Sequence, residues 1–297
     1  MNAAFGPTIT QMLTAARLDP REIAGLIDLA LEEDLDGGVD VTTVATIPED
    51  QRATLELTAR RAGVVAGVPV AAAVFLLVAG DEDIELAFLH DDGDAVEPGD
   101  VIISVTGRTH DLLRAERPAL NLLGHLSGIA TLTRVWVDAI AGSKAAIRDT
   151  RKTTPGMRRL EKYAVRCGGG VNHRMSLSDA ALVKDNHVAA AGGVAQAFAA
   201  VRAAFPDVPV EVEVDAPEQL DEVLEAGADL VLLDNFTPDQ MREAVARTKG
   251  RARLEASGGL SLDIAPEVAA TGVDYLAVGA LTHSAPVLDI GADLKEA

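Results

Sequence analysis

Apolar and polar positions change texture near residue 144 of this chain. Before that point, alternating runs mix with helical ones. Asp19-Pro20-Arg21-Glu22 has the residues of a helix start: Asp19 as N-cap, Pro20 at the first helical position and Glu22 in the capping-box place. Ile23, Leu26, Ile27, Ala30 and Leu31 then recur on one helical face. The acidic run 32–40 reads as a solvated loop with Gly37-Gly38 ending the helix. Residues 1–18 carry little pattern and are expected to drape over another element or a partner subunit. Runs 54–59, 63–67 and 84–89 have strand character, 70–79 is a short apolar helix, and 92–102 alternates turns with short strands. The stretch 111–140 is helical, with breaks expected at Pro118 and at Ser127-Gly128. The first part of the chain is thus of α+β type.

After residue 144, short β-rich runs alternate with helical segments. Strands are predicted at 145–149, 181–184, 210–214, 230–233, 253–256 and 275–278. Helices are predicted at 157–167, 194–205, 217–226, 238–248 and 262–271. This alternation implies parallel strands, and both an open sheet and a barrel satisfy it. The polar residues decide between them. Every strand ends in a charged or glycine cluster, and in a barrel those ends share one mouth. Six strands are too few for a full barrel. The expected fold class is therefore α/β: an N-terminal α/β sandwich domain over 1–125, then an incomplete, TIM-like α/β barrel over 126–283. The tail 284–297 is expected to pack on the first domain.

Composition narrows the function. The 297 residues are 48% hydrophobic and only 3% aromatic, so the core must be aliphatic. No apolar run is long enough to span a membrane, and the start lacks the pattern of a signal peptide. The single cysteine, Cys167, excludes an internal disulfide framework and reads as a packing residue. These features point to a cytoplasmic protein. A formal charge of −20 argues against nucleic-acid binding.

Against that background, the segment 148–187 holds nine Arg or Lys and only four Asp or Glu. Arg148, Arg151, Lys152, Arg158 and Arg159 fall close together, and His173-Arg174 and Lys184 follow a glycine run. Guanidinium forks suit carboxylates and phosphates, so a pocket for a small, multiply charged anion is expected. In Val210-Glu-Val-Glu-Val-Asp215, Glu211, Glu213 and Asp215 share one face. If the valines pack on helices, the carboxylates point into the barrel and must meet cations there. With Asp234 they suit Mg2+ or ribose hydroxyls. Ser257-Gly258-Gly259, before a helix expected at Leu262, and Gly279 to His283 have the makings of a phosphate cradle at the last two strands.

Several long motifs carry a resemblance. Glu116-Arg117-Pro-Ala-Leu-Asn121, Asp149-Thr-Arg-Lys-Thr-Thr-Pro-Gly156, Gly169-Gly-Val-Asn-His-Arg174, Lys184-Asp-Asn-His187, Glu211-Val-Glu213, Leu233-Asp-Asn235, Glu255-Ala-Ser-Gly-Gly259 and Val278-Gly-Ala-Leu-Thr-His283 closely resemble the quinolinate phosphoribosyltransferase family. The resemblance runs from about residue 20 to 290. It implies a homodimer that converts quinolinate and phosphoribosyl pyrophosphate to nicotinate mononucleotide, pyrophosphate and CO2. By resemblance, Arg151, His173 and Arg174 hold the quinolinate carboxylates, and Arg117 reaches them from the neighbouring subunit. Lys152 and Lys184 contact donor or substrate, and Glu213 and Asp234 bind the ribose hydroxyls or Mg2+. Ser257, Gly258, Gly259, Gly279 and His283 cradle the 5′-phosphate. Two other readings differ in what they predict. A paralogue would use another pyridine or pyrimidine carboxylate. A phosphate-ligand binding protein would bind without turnover.

Overall fold

The computed structural model describes residues 5–296. The chain forms two compact units. The first takes the chain up to Leu132, then Arg159–Gly168 and the stretch from Ala285; the second takes Thr133–Arg158 and Gly169–Ser284.

The first unit opens with α1 (Pro7–Ala15), α2 (Pro20–Leu35) and α3 (Val41–Thr46). Asp19 caps α2 as its position predicts, its side chain accepting from the Arg21 N–H at 2.9 Å. Residues 1–4 of the weakly patterned start lie outside the described residues. The rest of it forms α1, which buries Ile9 and Leu13. The acidic run is not simply a loop. Glu32 to Leu35 stay helical, and Asp40 starts α3 by accepting from the N–H groups of Thr42 and Thr43. A solvated charge run and an N-cap look alike in sequence, because both need an exposed carboxylate.

Next come β1 (Arg52–Ala59), β2 (Gly63–Val64), α4 (Val68–Ala79), β3 (Glu85–Phe88), β4 (Ala95–Val96) and β5 (Val101–Arg108). An antiparallel sheet runs β12-β1-β5-β3, closed at one edge by the C-terminal strand β12 (Ile290–Glu296). On β1, Ala53, Leu55 and Leu57 turn to the core, while Thr54 meets Thr106 across the sheet at 2.8 Å. Helix α4 is apolar all round and buries ten of its twelve residues.

Helix α5 (Thr109–Ala139) runs unbroken through both expected breaks. Pro118 removes one helical N–H and is kept inside the helix by buried neighbours Ala115, Ala119 and Leu123. Ser127 turns its hydroxyl to the backbone of Ala66, accepting from its N–H at 3.0 Å. Gly128 marks a close approach instead of a break. A Cβ there would lie 2.1 Å from the Pro286 carbonyl oxygen.

In the second unit, β6 (Ala146–Arg148), β7 (Ala181–Val183), β8 (Val210–Val214), β9 (Leu230–Asp234), β10 (Arg253–Ser257) and β11 (Tyr275–Ala277) are parallel. Their order is β6-β11-β10-β9-β8-β7, so the last strand lies beside the first. Among the described residues β6 and β7 do not pair; Arg148 of β6 instead makes an isolated bridge to Val171, in the segment before β7. This is the incomplete barrel that six strand signals predict. Its helices are α7 (Asp185–Ala191), α8 (Val194–Ala204), α9 (Pro217–Glu225), α10 (Pro238–Thr248), α11 (Ala265–Ala270) and α12 (Ala280–His283). Helix α6 (Arg158–Cys167), expected within the barrel segment, groups instead with the first unit from Arg159 onward. Its Tyr163 hydroxyl donates to Asp92, and its Glu161 accepts from His125 at 3.0 Å.

The glycines of the first unit allow a sign test. Gly25 lies inside α2 with nothing within 4 Å of an added Cβ. Gly25→Ala should raise stability by about 0.5–1 kcal/mol through helix propensity. Gly128→Ala should lower it by about 1–3 kcal/mol, because backbone atoms cannot yield the space. Urea unfolding midpoints report both signs.

Candidate active site

Parallel strands place their carboxyl ends, and the loops after them, at one mouth. Here that mouth is a cavity of about 580 Å³, within the usual range for small-molecule sites. Arg151 and Lys152 follow β6, Lys184 follows β7, Glu213 and Asp234 lie on β8 and β9, Ser257 ends β10, and Gly279 follows β11. All of these line it, together with His173, Arg174, Gly258, Gly259 and His283.

The basic part of the lining leaves donors unpaired. The Nε atoms of Arg151 and Arg174 are both buried, and neither has a hydrogen-bond partner in the protein. Burial, and then the nearby Arg151 charge, push the Arg174 pKa below its usual value. Arg174 is steadied by donating from Nη1 to the Ala180 carbonyl at 3.0 Å. Buried donors without acceptors are costly. An anion between them removes that cost and the mutual repulsion together.

The lining also carries carboxylates. Glu213 Oε2 accepts from the Lys184 ammonium at 2.7 Å, and Asp234 Oδ2 accepts from Asn235 Nδ2 at 2.7 Å. Carboxylate oxygens are the donors a hard cation such as Mg2+ prefers, so this pair fits that ion. Asn235 has a second task. Its φ of 56° turns the chain sharply, and its side chain presses against Gly258. A Cβ on Gly258 would come within 2.1 Å of Asn235 Oδ1, and Gly258 itself has φ +87°. Only glycine suits that turn. Gly279 is similarly tight, with the Lys152 side chain 3.0 Å and the His283 ring 3.3 Å from an added Cβ. Thr282 donates to the Lys152 carbonyl at 2.7 Å and ties the two loops together.

Under the cavity lies a buried network. Arg148 Nη1 donates to Glu255 Oε2 at 2.6 Å and lies 3.7 Å from Glu211 Oε1. His173 Nε2 is 2.8 Å from Glu211 Oε2. His173 Nδ1 accepts from the Arg174 backbone N–H at 2.7 Å, so the ring proton sits on Nε2. Asp149 accepts from the His173 N–H at 2.8 Å and from Asn172. Burial, and then the Glu211 carboxylate, push the Glu255 carboxyl up to about 8. Arg148 also stacks on the Tyr275 ring, 4.7 Å from its centroid.

Several expectations change here. Of the five clustered basic residues, only Arg151 and Lys152 border the cavity. Arg148 serves the network below it. Arg158 donates to Thr153 Oγ1 at 3.0 Å and to the Met175 carbonyl. Arg159 pairs with Glu22 at 3.0 Å on the surface. Asp215 is exposed past the end of β8, where its N–H donates to Gln219, so it does not face the barrel interior. Helix α11 starts at Ala265, not Leu262, so the Ser257–Gly259 turn is not a helix start. Arg117 lies on α5 in the first unit and borders a different cavity, with Asn121 and Val287. Cys167 is held protonated: burial, and then the Asp92 charge, push its thiol up to about 12. Glu255 and Asn235 stand in the quoted motifs, but reasoning on the sequence gave neither of them a role. For Glu255 a signal existed, since a charge inside a central parallel strand is unusual.

Residues 129–293 match the family model described as the quinolinate phosphoribosyl transferase C-terminal domain, and residues 40–127 match that of its N-terminal domain. A nicotinate-nucleotide pyrophosphorylase (carboxylating) of Mycobacterium leprae is 54% identical over 268 residues, covering 89% of this chain and 94% of that protein. A probable one of Bacillus subtilis is 43% identical over 260 residues, covering 87% and 89%. The crystal structure of NadC from Streptococcus pyogenes superposes with a TM-score of 0.90 at 40% identity, over 94% of this chain and 99% of that one. The Francisella tularensis nicotinate-nucleotide pyrophosphorylase gives 0.88 at 36%, over 93% and 96%.

The orphaned guanidinium donors lead to a binding test that needs no turnover. Quinolinate alone, a dianion with two adjacent carboxylates, at about 100 times its Kd should stabilise the protein by about 2.7 kcal/mol, read as a rise in Tm. Arg174→Ala should lose most of that rise, and added salt should shrink it.

Proposed function

The chain belongs to the quinolinate phosphoribosyltransferase family, and we propose that it transfers the phosphoribosyl group of phosphoribosyl pyrophosphate to quinolinate with loss of CO2, yielding nicotinate mononucleotide and pyrophosphate for de novo NAD biosynthesis. The observation that supports this reading best is that one cavity gathers both kinds of group. Two buried, unpartnered guanidinium donors, two carboxylates and the glycine turns all belong to its lining. Adjacent carboxylates on a pyridine suit the guanidinium donors. A ribose carrying phosphates suits the others.

The reaction asks little of a general base. The pyridine nitrogen attacks the sugar carbon as pyrophosphate leaves with the bonding pair. Arg151 and Arg174 orient the ring through its carboxylates, with His173 between them and the network below. Glu213 and Asp234 favour the positive charge developing at the sugar carbon and fix the ribose hydroxyls. The same two carboxylates would hold Mg2+, and the ion would supply positive charge to offset that of the departing pyrophosphate. Lys152 and Lys184 add mobile positive charge. The quaternised ring nitrogen then stabilises the electron pair left at C2 when CO2 departs.

Arg117 completes the site under this reading only as a residue of a second copy, so the working form is a homodimer. That places the exposed Arg117 guanidinium against the carboxylates of the neighbouring chain's substrate. Among the described residues no helix is long and apolar enough to cross a membrane, and we assign the enzyme to the cytoplasm.

A product assay tests the reaction. Protein, quinolinate, phosphoribosyl pyrophosphate and Mg2+ should give CO2 and nicotinate mononucleotide in equal amounts. EDTA should abolish both, and nicotinate should not replace quinolinate. Turnover with nicotinate would favour a paralogue, and binding without turnover would sink the enzyme reading. Asp234→Asn should lower kcat by about 10²-fold or more. For the shared site, Arg117→Ala and Arg174→Ala dimers should each be inactive. Mixed and exchanged, they should regain part of the activity through one intact site. No recovery in proven heterodimers would remove Arg117 from the neighbouring site.

A further inference from the structure

Arg151 and Arg174 bring like charges to one cavity, and the Nε of neither has a protein partner. Their repulsion favours spreading apart, so the protein itself must fix their separation. Backbone pairing does part of this. The Val171 N–H donates to the Ile147 carbonyl at 2.8 Å, and the Asp149 N–H donates to the Val171 carbonyl at 3.2 Å. Arg148 Nε adds a long bond to the Asn172 carbonyl, at 3.4 Å. These contacts dock the segment beside β6 but stop short of Arg174.

The Asp149 side chain carries the tie further. It is wholly buried and stands two positions before Arg151. Oδ1 accepts from the His173 N–H at 2.8 Å, and Oδ2 accepts from the Asn172 side-chain amide. Those are the two residues before Arg174. Its own turn is fixed as well. Thr150 Oγ1 accepts from the Lys152 N–H at 3.1 Å, and Thr282 donates to the Lys152 carbonyl. Beyond Arg174, Asp179 closes the next turn by accepting from the N–H groups of Met175 and Ser176 at 2.6 and 2.9 Å. Asp179 is exposed and braces that turn only, whereas Asp149 joins the turn of Arg151 to the loop of Arg174.

We propose that Asp149 is a positioning residue that sets the spacing of Arg151 and Arg174, and so selects a ligand whose two carboxylates sit on adjacent ring atoms. This rests on the reading that quinolinate occupies the cavity. Guanidinium groups are rigid planar forks, so their spacing matters in a way that the spacing of two flexible ammonium groups does not. Isomers of quinolinate carry the same charge and differ only in where the second carboxylate points. Electrostatic attraction alone cannot separate them, and a fixed spacing can.

A carboxylate is the group this task needs. Both of its oxygens only accept, and both partners here only donate. An amide at position 149 would keep the shape but present one NH2 to a facing donor. The pair with Asn172 can, however, be reversed. In D149N/N172D the amide at 149 still accepts from the His173 N–H through its oxygen, and its NH2 donates to the carboxylate at 172.

Calorimetric binding of quinolinate, which is pyridine-2,3-dicarboxylate, and of its 2,4-isomer tests the proposal without turnover. The unmodified protein should prefer the 2,3-isomer. D149N should weaken quinolinate binding about 10-fold or more, while the 2,4-isomer loses less, so the preference narrows. KM for phosphoribosyl pyrophosphate should not change. D149N/N172D should recover most of the quinolinate affinity together with the preference. A merely structural role would weaken both isomers alike. Equal loss for the two isomers, or no recovery in the double variant, overturns the proposal, as does an unmodified protein that binds both isomers equally. If D149N does not fold, N172A carries the test, because it removes one of the two contacts from a residue that is not fully buried. It should narrow the preference in the same direction, and an unaltered preference refutes the spacing role. An unmodified protein that binds neither isomer removes quinolinate from the cavity, and the proposal falls with that reading. Isomer binding that D149N leaves intact removes the spacing role alone.

Discussion

Charge inside a parallel barrel is the constraint on which the second unit turns. Glu211 on β8 and Glu255 on β10 are almost wholly buried, where a lone carboxylate is severely penalised. Arg148 on β6 answers both, and its guanidinium lies over Tyr275 of β11. One cation thus ties strands that are not neighbours in the sheet. Such ties add little net stability against an apolar core, but breaking one side strands a charge. The network therefore dictates geometry more than it supplies stability.

That geometry reaches the substrate wall through His173. One ring nitrogen holds Glu211 and the other receives the Arg174 backbone N–H. The ring cannot rotate without losing one of them. Asp149 holds the same backbone from the other side. The loop carrying Arg174 is therefore braced before any ligand arrives, which is how a site avoids reorganising during reaction.

The cavity makes a different compromise. Its guanidinium donors are buried without acceptors, and its carboxylates are partly neutralised by Lys184. The first arrangement is costly in the empty protein and becomes favourable with an anion. In a chain with a formal charge of −20, such a local field is needed to draw negative substrates inward. At Gly258 an added side chain would collide with Asn235, so that turn keeps its backbone bare toward the cavity.

Strand count, parallel order, the cavity's position and most of its lining were legible in the sequence, because they follow from local rules. Apolar periodicity marks each strand, and a parallel strand must end at the mouth. Charges such as Arg151 and Lys184, placed directly after strands, had to appear there. Partner choice was not legible. Arg148 and Arg151 are three residues apart and chemically identical, yet one lies under the cavity and the other borders it. Asp215 shares the alternation of Glu213, but β8 ends at Val214, so the carboxylate faces water. Pro118 and Gly128 carry the marks of a helix break, and α5 overrides them with buried contacts made by residues far away in the chain. Local propensities act through the nearest few residues, and those the sequence determined. Which buried charge meets which depends on distances between strands more than a hundred residues apart, as with Arg148 and Glu255, and only the folded barrel decides them.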